Sequence, residues 1–179
     1  MLPEISLHIL DIAQNSIRAG ASLTEIDVRE EGVLLTVVIR DNGCGMSPEM
    51  VARVTDPFTT SRTTRKVGLG VPFYKMAAEI TGGTFSIGST VGVGTTVTAV
   101  FHTDHIDCMP LGGLSDTIYA LVTLNPGIDF LFTHTVNGKS MTMDTREFRA
   151  VLGDVGFDDP DVKQYIREYL DEMNRELHG

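Results

Sequence analysis

Residues 33–46 read VLLTVVIRDNGCGM, an unbroken apolar run that stops on an acid, an amide and two glycines. The run has the length of a strand and is rich in β-branched residues, which suits a buried strand. An Asp-Asn-Gly ending is an ordinary turn where it faces water, because glycine accepts positive φ and Asx side chains bond their own backbone. The surrounding sequence decides whether it is more than that.

Working outward, TEIDVRE at 24–30 reads as a strand, and the turn at Glu31-Gly32 makes a hairpin with the apolar run. Ahead of it, the spacing predicts a helix from residue 4 to Ala19, closed by Gly20. Ile5, Ile9, Ile12, Ala13 and Ile17 form its apolar side, while His8, Asp11, Asn15 and Arg18 recur along another. On the far side, TDPFTTSRTTRKVGLG at 55–70 has neither a helical nor a strand period. Within it, residues 59–66 are all hydroxyl-bearing or basic, which suits a loop that meets phosphate. A helix over Val71–Thr81 ends at Gly82-Gly83, and TFSIGS and TTVTAVF follow as two strands joined by the turn VGVG.

Taken together, these motifs resemble the GHKL superfamily, the ATP-binding group of gyrase, heat-shock chaperone, histidine kinase and MutL proteins. DIAQNSIRAGAS with IRDNGCGM looks like its mismatch-repair members. DPFTTSRTTRKVGLGV with GGTFSIGSTVGVGTTVTAVF is more similar to its histidine-kinase and anti-sigma-factor branch. Four motifs stand in the family's order over residues 4–101.

The resemblance implies an α/β fold, an α+β two-layer sandwich in which helices pack on one face of a mixed sheet, the Bergerat ATP-binding fold. It implies ATP and Mg2+ as cofactors. Asp41 takes the position whose carboxylate accepts from the adenine N6 amino group, with Gly43 and Gly45 letting the backbone pass close to the base. Asn15 takes the position of the Mg2+-binding amide, a hard oxygen ligand of the kind this ion takes alongside its waters. Thr60, Arg62, Lys66, Gly68, Leu69 and Gly70 fall in the phosphate-binding loop and the start of its helix, and Arg62, Arg65 and Lys66 would neutralise charge on the γ-phosphate. Thr96 matches a residue near the adenine. Hydrolytic members carry a Glu one turn before the Asn; here the acid is Asp11, one methylene shorter and therefore a weaker candidate for the base that activates water. His8, one turn further back, reads as a packing or solvated residue, with assistance to Asp11 as the functional alternative.

Composition excludes other classes. The formal charge is −10; residues 1–103 carry 10 acids and 8 bases, residues 104–179 carry 14 and 6. An acidic second part argues against nucleic-acid and membrane-surface binding. The two cysteines, Cys44 and Cys108, make no disulfide framework, and no leader or spanning segment is read, so a cytoplasmic location is expected. His102, His105 and Cys108 have metal-like spacing but lack a fourth ligand.

Residues 1–103 are expected to form the ATP-binding domain and 104–179 an acidic α/β appendage. The latter reads as a short helix over Ser115–Leu124, a type I′ hairpin turning at Asn137-Gly138, and a final helix opened by Asp159 and Pro160. The apolar stripe of that helix, Val162, Tyr165, Ile166, Tyr169, Leu170, Met173 and Leu177, is expected to pack on the core or to form a homodimer or partner surface. Two functions follow. One is a stand-alone regulatory protein kinase or slow ATPase acting on a protein partner; the other is a non-catalytic module that senses ATP and controls a partner.

Overall fold

The apolar run is a strand, and it ends on Asp41. In the computed structural model, which describes residues 2–58 and 70–179, the chain opens with helix α1 (Ile5–Arg18) and the hairpin β1 (Leu23–Glu31) and β2 (Leu34–Asp41). Helix α2 (Pro48–Thr55), helix α3 (Gly70–Glu79) and the hairpin β3 (Thr84–Thr90) and β4 (Gly94–His102) follow. The remainder is α4 (Leu114–Leu124), β5 (Asp129–Val136), β6 (Lys139–Asp144), α5 (Thr145–Leu152) and α6 (Pro160–His178).

Among the described residues, six strands join one mixed sheet in the order β3-β4-β2-β1-β5-β6. Neighbouring pairs are antiparallel except β1 and β5, which run parallel with Leu23 opposite Asp129. Period-two alternation sends Ile26, Val28, Val37, Ile39, Val97, Ala99, Phe130 and Phe132 to one buried face. Glu25, Asp27, Arg40, Thr96 and Thr133 fall on the other, which is less buried. The described helices cover the first face, giving the two-layer arrangement.

Residues 104–179 extend the same sheet. Their core residues Leu121, Phe132, Met143, Ile166 and Leu170 belong to one hydrophobic cluster with Ile9, Ile26 and Val37. Asn137 (φ 47) and Gly138 (φ 88) make the tight turn between β5 and β6, and the Asn137 side-chain oxygen accepts from the Gly32 amide at 2.9 Å. The two hairpin turns are thereby tied together. The stripe of α6 lies inward, with Ile166 and Leu170 wholly buried, and it is covered by the chain itself; Tyr165 is half exposed at its margin. Among the described residues no helix is long and apolar enough to cross a membrane.

Candidate functional site: the cleft at the end of the second strand

Asp41 emerges at the end of β2 with both carboxylate oxygens engaged. Ser16, buried on α1, donates its hydroxyl to Oδ2 at 2.6 Å, and the Gly43 amide donates to Oδ1 at 2.9 Å. The next residue acts as a latch. Asn42 accepts from the Ser22 and Leu23 amides at 2.9 and 3.0 Å and donates to the Ser22 hydroxyl, fixing the exit of β2 against the entry of β1.

The glycine-rich segment is then clamped between α1 and the β3–β4 turn. The Cys44 amide donates to the Ala19 carbonyl, the Gly92 amide to the Cys44 carbonyl, and the Met46 amide to Ser89 Oγ. Gly45 has φ +73, and a Cβ there would stand 2.0 Å from the Thr90 carbonyl oxygen, so no other residue fits. At Gly43 a Cβ would meet Ala19 at 2.9 Å. The close approach is of backbone to backbone at Gly45 and to the Ala19 methyl and carbonyl at Gly43, in both cases within the fold.

Below this clamp lies a cavity of about 340 Å³. Ile39, Ile87 and Val97 floor it from the sheet; Ile12, Asn15 and Ser16 wall it from α1, Met50 and Val54 from α2, and Val71 from α3. A mostly apolar slot with one carboxylate at its base is shaped for a flat heterocycle that offers a donor. Asn15 lies on the same wall, where its side-chain oxygen accepts from the Arg18 guanidinium. That oxygen is thus already presented to a cation, and a hard amide oxygen fits Mg2+ ligation.

Thr95 lines the cleft and Thr96 does not. The register places Thr95 opposite Asp41 and Thr96 opposite Arg40, so in a pleated strand only Thr95 shares the face of Asp41. Thr95 also bonds Ser89 at 2.8 Å, joining the clamp to the floor.

Asp11 is placed beside this cleft. It lines a neighbouring cavity of about 430 Å³ with His8, Gln14, Gly70 and Phe73. Its carboxylate abuts the start of α3 so closely that a Cβ on Gly70 would fall 2.2 Å from Oδ2. Gly70 is therefore brought to the acid. Thr60, Arg62, Arg65, Lys66, Gly68 and Leu69 lie outside the described residues. His8, read as part of the polar stripe, is 1% exposed. Burial pushes its imidazole below the usual range, partly offset by the Leu2 backbone and the negative charge of Asp11.

Sequence reasoning missed Ser16, Thr95, Met50 and Val54. Ser16 directly follows Asn15, and its signal is that the helical period puts it on the sheet side of α1. The wall from α2 was signalled by Ser47-Pro48, a capping residue followed by a proline at the first helical position.

Residues 4–105 match the family described as histidine kinase-, DNA gyrase B-, and HSP90-like ATPase. Among curated proteins, the chain is 33% identical over 124 residues to the non-motile and phage-resistance protein of Caulobacter vibrioides, covering 59% of this chain and 15% of that protein. It is 32% identical over 100 residues to the histidine protein kinase DivJ of the same organism, covering 54% and 17%. To sporulation kinase B of Bacillus subtilis it is 29% identical over 99 residues, covering 54% and 23%. The chain thus spans less than a quarter of the length of these relatives. Among solved structures, the N-terminal domain of a DNA repair protein superposes with a TM-score of 0.56 at 16% identity, covering 86% of this chain and 58% of that one.

Proposed function

We infer that this chain, which belongs to the histidine kinase-, DNA gyrase B-, and HSP90-like ATPase family, binds Mg-ATP in the cleft at the end of β2 and acts as a regulatory protein kinase or slow ATPase on a protein partner. The observation that carries this reading is Asp41. Its two oxygens each hold one internal donor, and a carboxylate oxygen has capacity for a second. The acid is thereby fixed, with an acceptor site left over in an apolar slot, which favours the N6 amino group of adenine over the carbonyl of guanine.

Asn15 would hold Mg2+ through its amide oxygen, once Arg18 turns aside. Bound there, the ion would offset phosphate charge and orient the terminal phosphate. The dipole at the start of α3 adds to this on the same side. Asp11, one turn before Asn15 on α1, would take the proton from water.

A sensing role without catalysis is favoured by one observation. Asp11 opens into the neighbouring cavity, while Asn15 and Asp41 share the cleft.

Calorimetry with ATP and GTP tests the site. ATP should bind at least about tenfold more tightly than GTP, or roughly 1.4 kcal/mol. Asp41→Asn should lose a similar amount, because an amide presents a donor where an acceptor is needed. Equal affinities for the two nucleotides, or an unweakened variant, would remove Asp41 from the site.

A further inference from the structure

The described helices cover one face of the sheet and leave the other open. Register sets the rows of that open face: Ser86, Thr98, Val38, Asp27, Thr133 and Thr142 stand side by side across all six strands. Its charges alternate in sign. Arg29 lies 3.8 Å from both Asp27 and Glu31, Arg40 lies 3.7 Å from Glu25, and Arg146 pairs with Asp144 at 2.9 Å at the β6 edge. Four acids thus stand against three arginines, close to neutral, in a chain whose formal charge is −10. In the middle of the face Glu25, Asp27, Val38, Arg40, Leu131 and Thr133 line a shallow cavity of about 150 Å³. There Asp27 Oδ1 is buried and has no hydrogen-bond partner among the described residues, an acceptor of the kind that is almost always satisfied in a native assembly.

We propose that two copies of this chain pack together through the open face, sheet against sheet, about a two-fold axis. An interface of that symmetry presents one surface twice and so has to complement itself. A face of one sign would repel its copy, whereas this one offers arginines and carboxylates in alternation, so that an arginine of one copy reaches a carboxylate of the other. Asp27 Oδ1 is the acceptor such a guanidinium would satisfy. Most of the chain's acidic excess lies elsewhere, so a copy that approached by another side would meet net like charge. The area suffices. Six strands spaced about 4.8 Å apart, the shortest of six residues at about 3.4 Å each, give a face of roughly 24 by 20 Å. Counted on both copies that is about 1,000 Å² in flat projection, and side-chain relief raises it into the range of roughly 1,200–2,000 Å² that stable interfaces bury. The apolar stripe of α6 is already covered by the chain itself, so it does not compete. The cleft at the end of β2 is floored by Ile39, Ile87 and Val97 on the helical side of the sheet, and pairing across the other side leaves it free.

Sedimentation equilibrium of the full chain, from low micromolar to about 500 µM, tests the pairing, because a polar interface of this size dissociates within or below that range. The wild type should be dimeric at the upper end. Thr98→Glu and Thr133→Glu each add a carboxylate to the centre of the face, and two-fold symmetry enters each change twice, so either should weaken the dimer at least about a hundredfold. Leu124→Glu is the control. It adds the same charge at a residue of α4 that is 76% exposed in the helical layer, and it should leave the dimer intact. Circular dichroism shows that each variant is folded, and because the two face variants lie on different strands, one that failed to fold would leave the other to decide. A wild type that stays monomeric throughout overturns the pairing and leaves the face to solvent or to a different protein. A dimer that survives both face variants, or that Leu124→Glu dissolves, also overturns it by placing the contact on another surface.

Discussion

Asp41 is oriented before any ligand arrives, because Ser16 and the Gly43 amide hold one oxygen each. Ser16→Ala should therefore weaken ATP binding by about 1 kcal/mol, roughly fivefold, with little loss of Mg2+ dependence; calorimetry with and without the ion separates the two. Among the described residues, the atoms nearest an alanine methyl at Gly70 all belong to the Asp11 carboxylate, the end of a side chain. Gly70→Ala should then leave the thermal midpoint nearly unchanged while displacing Asp11, so that any phosphate release falls by about tenfold or more. Asn15 and Asp41 stood out in sequence because a fixed spacing carries them, and both line the cleft. Thr95 was not: choosing it over Thr96 needs the phase of β4, and a shift of one residue moves a side chain to the opposite face. Nor was the fully buried state of His8, which depends on Tyr74 arriving from a helix distant in the chain.

Long or strongly patterned elements were readable; the two eight-residue helices were not. Helix α1, the two N-terminal hairpins and α6 announce themselves through periodicity and turns, and Asn137-Gly138 marks the C-terminal hairpin. Helices α2 and α5 span eight residues each, too few for a hydrophobic period to rise above noise. Their caps were the available signal, Ser47 for α2 and Asp144, which accepts from the Arg146 amide, for α5. Because α2 has no buried residue, it is held by that cap and by the rim of the cleft. Ser47→Ala should cost the helix about 1 kcal/mol. Hydrogen exchange should accelerate in Pro48–Thr55 alone, with the global unfolding midpoint unmoved and ATP affinity reduced through Met50 and Val54.

At the scale of the molecule, His8 and Glu30 both shape the acid response. The His8 imidazole lies below its ordinary 6.5 through burial, so the native state takes up its proton less readily than the unfolded chain. Its contribution is complete above pH 6.5 and is lost as pH falls through the lowered value. Glu30 is held below its ordinary 4.5, first by its hydrogen bond to His134 at 2.6 Å; its contribution is complete above pH 4.5 and is lost as pH falls through its own lowered value. Thermal midpoints followed from about pH 8 to about pH 3 should decline in two stages, and His8→Gln should remove the earlier one. The parallel pairing of β1 with β5 has a further consequence, in time. β1 is complete at Glu31, yet the neighbour that covers its outer edge begins only at Asp129, after β2, β3 and β4 have been made. Until β5 leaves the ribosome, a nascent chain that already carries the residues lining the cleft at the end of β2 exposes a row of unpaired amides and carbonyls along β1. Such an edge invites pairing with other chains, and closing it late in synthesis is a slow, long-range step.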